Sequence, residues 1–372
     1  MFRILKVIAV CIFYHHCCAF QIAETNRTSK FAFGIGLVRF ANSLCVSPDG
    51  LEGACYTKRE CRKFGGTGFG SCANGLGVCC VVQKSCDGTT TSNNTYFTSP
   101  NFPSSYGEGT TCSFNIKKLD NDICQARIDF IAFSLDQPNA NGVCVNDGLT
   151  IIGGASPVPT ICGENGGQHI YVNFAERGSI QMNIFTGLSA NTRRIWSFKI
   201  SQIGCDCPTR APSGCLMYHT SLSGTVRSFN YGTTGNAASS RQLINQNYGV
   251  CIAMQPGYCS INWSQTSGDQ YSFSVSGNTA TSASDGTIGT NAGAIIGALC
   301  TNDYVVIPSP TFTDTRTPAN VDRFCGNGFE PLSTSSKPFV LTVVTDAMEV
   351  GDIGNRGFSL DFSQQRCTGM PF

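Results

Sequence analysis

One cysteine-bounded stretch occurs twice in this chain, and it limits the available folds more than any other feature. CVNDGLTI (Cys144 to Ile151) runs on to Cys162-Gly163, and CTNDYVVI (Cys300 to Ile307) runs on to Cys325-Gly326. A cysteine at each end of a strand-turn-strand unit lets a disulfide staple neighbouring strands once the Cα atoms approach within about 7 Å. Its recurrence marks a duplication. Aligned outward, Cys86, Cys112, Cys124, Cys144, Cys162 and Cys205 of one unit meet Cys215, Cys251, Cys259, Cys300, Cys325 and Cys367 of the other, in the same order. RIWSFKIS (Arg194 to Ser201) lies 162 residues ahead of RGFSLDFS (Arg356 to Ser363), as Cys205 does ahead of Cys367. SPNF at Ser99 is echoed by SFNY at Ser228.

The compartment follows from the first residues and from the sulfur count. Arg3 and Lys6 precede the apolar run Val7 to Tyr14, with Ala19 at a cleavage position, so residues 1–19 read as a secretory signal peptide. No later stretch is long and apolar enough to span a bilayer. Of 22 cysteines, Cys11, Cys17 and Cys18 fall in that leader, and the remaining 19 imply a disulfide framework in an exported chain. Zinc at Cys79-Cys80 or Cys205-Asp206-Cys207 is the weaker reading, because His169 and His219 are the only imidazoles beyond the leader. Sequons at Asn26, Asn93 and Asn262 are candidate glycosylation sites and would mark exposed surface if glycosylated. Charged residues make up 13% of the chain and the net charge is +1, which lacks the basic footprint of nucleic-acid binding.

Short alternating runs predict an all-β chain. Ile170, Val172 and Phe174 alternate with Tyr171 and Asn173, as do Trp196, Phe198 and Ile200 with Ser197 and Lys199, and Phe358, Leu360 and Phe362 with Ser359 and Asp361. This is the period of strands with one face in a core, here most simply β-sandwiches. Between Cys259 and Cys300 the second unit carries 21 residues more than its counterpart, and the surplus falls within GNTATSASDGTIGTNAGAIIGA, predicted to be a surface excursion. Arg193 and Arg194 read as surface charge at a strand start. No catalytic motif appears: the sequence has no Gly-x-Ser-x-Gly and no His-Glu-x-x-His, and neither His169 nor His219 has a motif-like nucleophile beside it. No enzyme is expected.

Residues 20–44 read as a linker. Residues 45–80 hold Cys45, Cys55, Cys61, Cys72, Cys79 and Cys80, a disulfide knot too small to bury much core. Its order and closing Cys-Cys pair resemble a shortened clip domain, the module found ahead of arthropod serine proteases. GGTGFG within it lacks the strand and helix that a nucleotide loop needs.

The two larger units, 86–205 and 215–367, resemble CUB domains. The resemblance rests on SPNFPSSYGEGTTCSFNI, CVNDGLTI, Cys162-Gly163 and the closing alternating strand, with the second unit more divergent. It implies an all-β chain with two CUB-like jelly-roll sandwiches in tandem behind the small disulfide-rich module, like secreted arthropod CUB proteins. It also implies the pairs Cys86–Cys112, Cys144–Cys162, Cys215–Cys251 and Cys300–Cys325. Symmetry between the units adds Cys124–Cys205 and Cys259–Cys367. Cys207 is left over, as a free thiol, a partner exchanged with Cys205, or an inter-chain bridge forming a disulfide-linked dimer. Many CUB domains hold Ca²⁺ at one end through three acidic positions. Asp136 and Asp147 fill two of them in the first unit, where Gly187 and Leu188 stand in the third. Asp303 and Asp346 fill two in the second, where YSFSVSG supplies no carboxylate.

The expected function is a secreted, non-enzymatic recognition protein that binds another protein or a glycan. The alternative is a regulator of an extracellular serine-protease cascade acting through the knot. A matrix component cross-linked through Cys207 is the third.

Overall fold

The computed structural model describes residues 40, 42–176, 178–188, 193–232, 241–349, 351–352 and 354–367. Residues 1–19, most of the linker and Asn26 lie outside these.

The alternating runs become the inner faces of two β-sandwiches. In the first, Ile123–Ser134 lies between Ile195–Gly204 and His169–Asn173, all antiparallel, with Thr95–Thr98 on the far side of Ile195–Gly204. The facing sheet runs Gly88–Thr90, Thr111–Ile116, Ile180–Phe185, Gly148–Ile152. Trp196, Phe198 and Ile200 are fully buried between the layers. There Phe97 stacks on Phe114 with ring centroids 4.6 Å apart, and Phe198 packs on Phe130 and Phe133. Burying a Phe in such a layer is worth about 1.5–3 kcal/mol.

The second sandwich repeats the plan. One sheet runs Cys215–His219, Asn247–Ile252, Phe339–Val344, Tyr304–Val306, Arg323–Gly326, Ala294–Ile296. The other runs Ser223–Arg227, Gly357–Arg366, Tyr258–Gln265, Leu332–Thr334, Pro310–Phe312, with Phe273–Ser274 also beside Gly357–Arg366. The surplus segment is more ordered than a plain surface loop. It forms a short helix, Thr279–Ser284, capped by the Asn278 side chain, and then the edge strand Ala294–Ile296 paired to Arg323–Gly326.

Each sandwich holds three internal disulfides, Cys86–Cys112, Cys144–Cys162 and Cys124–Cys205 in the first, Cys215–Cys251, Cys300–Cys325 and Cys259–Cys367 in the second. Cys124–Cys205 and Cys259–Cys367 span 81 and 108 residues. By chain entropy each contributes roughly 4.5–5 kcal/mol. Cys207, the cysteine left over in the sequence, is buried and also disulfide-bonded.

The knot is linked Cys45–Cys79, Cys55–Cys72 and Cys61–Cys80. Thr57 and Glu60 form a reciprocal capping box at the start of its helix, Lys58–Lys63. The first strand, Leu44–Val46, starts one residue ahead of Cys45, so Leu44 belongs to the knot's sheet. The knot also does not stand apart from the sandwich. Gly77–Lys84 carries the Cys79-Cys80 pair and then runs parallel to Thr95–Thr98, so the knot's sheet continues into the first sandwich. Lys199 pairs with Glu52 across this seam, and Glu52 N donates to Tyr96 Oη at 2.9 Å.

Candidate functional site

Asp147 sits in the repeated stretch just before Gly148–Ile152, and the strand geometry turns its side chain inward at the end of the first sandwich. It is 1% exposed. Its Oδ2 accepts from Arg194 Nε at 2.7 Å and from Asp136 N at 2.8 Å, and its Oδ1 accepts from Gly187 N at 3.0 Å. Arg194 is fully buried as well. This corrects the reading of Arg193 and Arg194 together as surface charge: Arg193 is exposed, whereas Arg194 is the counter-ion of Asp147. Asp136 does not face Asp147 with its carboxylate. Its Oδ1 accepts from Gln137 N at 3.0 Å and its Oδ2 from Asn146 Nδ2 at 2.7 Å.

The second sandwich treats the equivalent end differently. Asp303 is 1% exposed, and its Oδ2 accepts from Gln242 Nε2 at 2.8 Å, its Oδ1 from Asp346 N at 2.8 Å. Burial pushes its carboxyl up to about 7. Asp346 Oδ1 accepts from Met348 N at 2.7 Å. Two further carboxylates come close that the sequence reading did not single out. Glu349, 5% exposed, has no hydrogen-bond partner at either oxygen, and burial next to Asp303 and Asp352 raises it to about 9. Asp352, 4% exposed, accepts from Gly277 N. The signal available was the acidic run DAMEVGD at Asp346 in a chain poor in charge. Arg356, the counterpart of Arg194, turns instead onto the Tyr271 ring, 4.0 Å from its centroid.

The third feature is the junction between the sandwiches. Asn230 is buried at 1% exposure with φ +59°, and it plugs into the turn after Cys162. Its N donates to Asn165 Oδ1 at 2.7 Å, and its Oδ1 accepts from Glu164 N at 3.0 Å. Its Nδ2 donates to Gln137 Oε1 and Arg241 O, both at 2.9 Å. Gly163 is required here, since a Cβ on it would lie 1.9 Å from Asn230 Oδ1. Beside this lock, His169 Nε2 donates to Tyr218 O at 2.9 Å, and its ring meets that of His219 edge-on at 4.9 Å. Burial, together with the Arg127 charge, lowers His169 to about 4. Burial, the His169 ring and Arg127 lower His219 to about 4. Tyr171, on the outward side of its strand, is only 5% exposed because Tyr218 of the second sandwich packs against it. Apolar side chains of both sandwiches form one connected cluster.

Asn93 is buried, 9% exposed, and its Oδ1 accepts from Gln202 N at 2.7 Å. The side chain at that sequon is therefore turned into the protein and not toward open surface. Asn262 lies mid-strand with its neighbours Ile261 and Trp263 in the core, so its side chain faces outward, half-buried.

A CUB domain family model matches residues 86–201, and an Animal CUB domain model matches residues 212–365. The chain belongs to the CUB family. It carries two CUB domains in tandem behind an N-terminal disulfide-rich region. Human (Homo sapiens) cubilin is 26% identical over 147 residues, 38% of this chain and 4% of cubilin, so the match spans a small fraction of that protein. Among solved structures, the CUB1-EGF-CUB2 domains of rat MASP-1 align at 14% identity over 76% of this chain and 99% of that one, with a TM-score of 0.26. The MASP-1 CUB2 domain bound to Ca²⁺ aligns at 21% identity over 31% of this chain and 98% of that one, with a TM-score of 0.27.

The two CUB ends differ in how they would receive Ca²⁺. At the first, both Asp147 oxygens are engaged and a guanidinium already neutralises the charge. A divalent ion about 4 Å from that guanidinium would be repelled by about 8 kcal/mol at an effective dielectric of 20. The residues there do not fit a metal. At the second end, the partnerless Glu349 beside Asp303, Asp346 and Asp352 has the donor chemistry of a hard cation site. Among the described residues, no three such groups stand at metal-holding geometry.

Proposed function

We propose that this chain is an extracellular, non-catalytic recognition protein that presents its two CUB domains as one rigid body to another protein or a glycan. CUB domains mediate extracellular protein binding. The observation that carries the reading is the junction. The buried Asn230 and the continuous apolar cluster favour a fixed relative orientation of two sets of end loops, which lowers the ordering cost of binding a partner across both. The nine disulfides among the described residues suit an oxidising extracellular setting. No described helix is long and apolar enough to cross a membrane. His169 and His219, whose imidazoles burial lowers to about 4, face each other inside the junction, a place suited to packing rather than chemistry.

In this reading Ca²⁺ acts at the second domain, held by Asp303 and Asp346 with Glu349 and Asp352, and orders the loops that carry them. The test is capture of partners by the full-length chain from extracellular fluid, with millimolar Ca²⁺ and with chelator, before and after glycosidase treatment of the fluid. Capture of a defined protein or glycan that weakens on chelation supports the proposal. Capture confined to a serine protease held through residues 45–80 replaces it with the cascade-regulator reading.

A further inference from the structure

The first CUB domain contains its own cation. Three segments distant in sequence converge on the Asp147 carboxylate. Asp136 N and Gly187 N each donate to one oxygen, and the Arg194 guanidinium pairs with the oxygen that Asp136 uses. Both charged side chains are fully withdrawn from solvent. The segment at Gly187, where the family resemblance places a third carboxylate, contributes a backbone donor instead. Arg194 is fixed in turn: its carbonyl accepts from Tyr106 N at 2.8 Å, and the Tyr106 ring packs edge-on against Trp196, two residues along the strand.

The duplication supplies an internal comparison. Arg356 occupies the same register, two residues before Phe358 as Arg194 is before Trp196. Yet it stacks on Tyr271 with its Nε unpartnered, and the Asp303 oxygen that would receive it is taken by Gln242 Nε2. The same carboxylate position is thus filled by a guanidinium in one domain and by an amide in the other. The second domain also gathers Glu349, a buried carboxylate with no partner.

We infer that Arg194 takes the place of a divalent ion in the first CUB domain. It ties the loops at Asp136, Asp147 and Gly187 together without metal, so the tandem has one metal-independent end and confines any metal response to the other. The inference does not rest on what the protein binds, nor on whether the second domain takes up Ca²⁺, because it concerns loops that only the first domain contains.

The test follows amide hydrogen exchange at Asp136 and Gly187 in the full chain, with millimolar Ca²⁺ and with chelator. In the wild type, protection at both amides should be identical in the two conditions. Arg194→Ala should lose roughly ten-fold or more of that protection, since hydrogen bonds to a charged acceptor would weaken with its counter-ion gone. Millimolar Ca²⁺ should restore it, the ion entering the space the guanidinium leaves. Should Arg194→Ala fail to fold, Arg194→Lys and the wild type carry the test. The lysine variant should keep metal-independent exchange with reduced protection, because a flexible ammonium does not reproduce the fixed position of the Arg194 Nε donor on Asp147 Oδ2. Wild-type protection at these amides that falls on chelation overturns the inference. So does an Arg194→Ala or Arg194→Lys chain whose exchange at both amides matches the wild type.

Discussion

Acidification should loosen the junction between the two CUB domains, and the two histidines set the size of the effect. His169 and His219 face each other at 4.9 Å, with Tyr171, Tyr218, Phe362 and the Arg127–Asp129 pair around them. Burial lowers both imidazoles from 6.5 to about 4, and the positive Arg127 works in the same direction. An imidazole whose folded pKa lies below its unfolded value contributes stability that is complete above the unfolded pKa and withdrawn as pH falls toward the folded one. At about pH 5, a shift from 6.5 to about 4 withdraws roughly 2 kcal/mol per histidine, or about 4 kcal/mol for the pair. Carboxylates elsewhere also respond to acid, so the measured quantity is the difference between wild type and the double variant His169→Gln, His219→Gln. In urea denaturation at about pH 7.5 and about pH 5, the wild type should lose roughly 4 kcal/mol more than the double variant. The glutamine at 169 retains a donor for Tyr218 O. Equal losses in the two proteins would refute the assignment of the acid response to this pair.

Further perturbations read other parts of the molecule. Gly163→Ala places a Cβ 1.9 Å from Asn230 Oδ1 and at φ +77°, so it should cost about 1–3 kcal/mol and speed proteolysis near residues 205–215. Phe198→Ala removes a ring packed on Phe97, Phe130 and Phe133, and calorimetry should show the first domain destabilised by about 3–5 kcal/mol. Replacing Cys259 and Cys367 together by serine should lower stability by about 2–5 kcal/mol, visible as a lower unfolding midpoint of the second domain. Glu349→Gln removes a buried carboxylate with neither oxygen bonded. Without metal it should leave stability unchanged or raise it by about 1–3 kcal/mol, and any thermal shift produced by Ca²⁺ should shrink.

Much of the architecture could be read from residue order. CVNDGLTI and CTNDYVVI, together with the period-two runs ending each unit, carried the all-β class and the duplication because strand periodicity and cysteine order survive divergence in side-chain identity. What could not be read depends on contacts between segments far apart in sequence. Nothing around Arg194 announces that its side chain crosses to Asp147, 47 residues upstream. Tyr171 looks solvent-facing from its alternation and is buried only because a second sandwich lies against it. Asn93 carries a sequon, yet its side chain is drawn in by the backbone of Gln202. The knot looked separate because its six cysteines form a closed set, whereas the strand leaving it at Cys80 continues as part of the first CUB sheet.

The most direct measurement is peptide mapping of the unreduced, full-length protein. The account holds that two copies of one sandwich are each clamped internally at corresponding places and then docked. It predicts that half-cystines in 86–205 remain joined only to one another, and that those in 215–367 do the same. A disulfide running from one span to the other would contradict it.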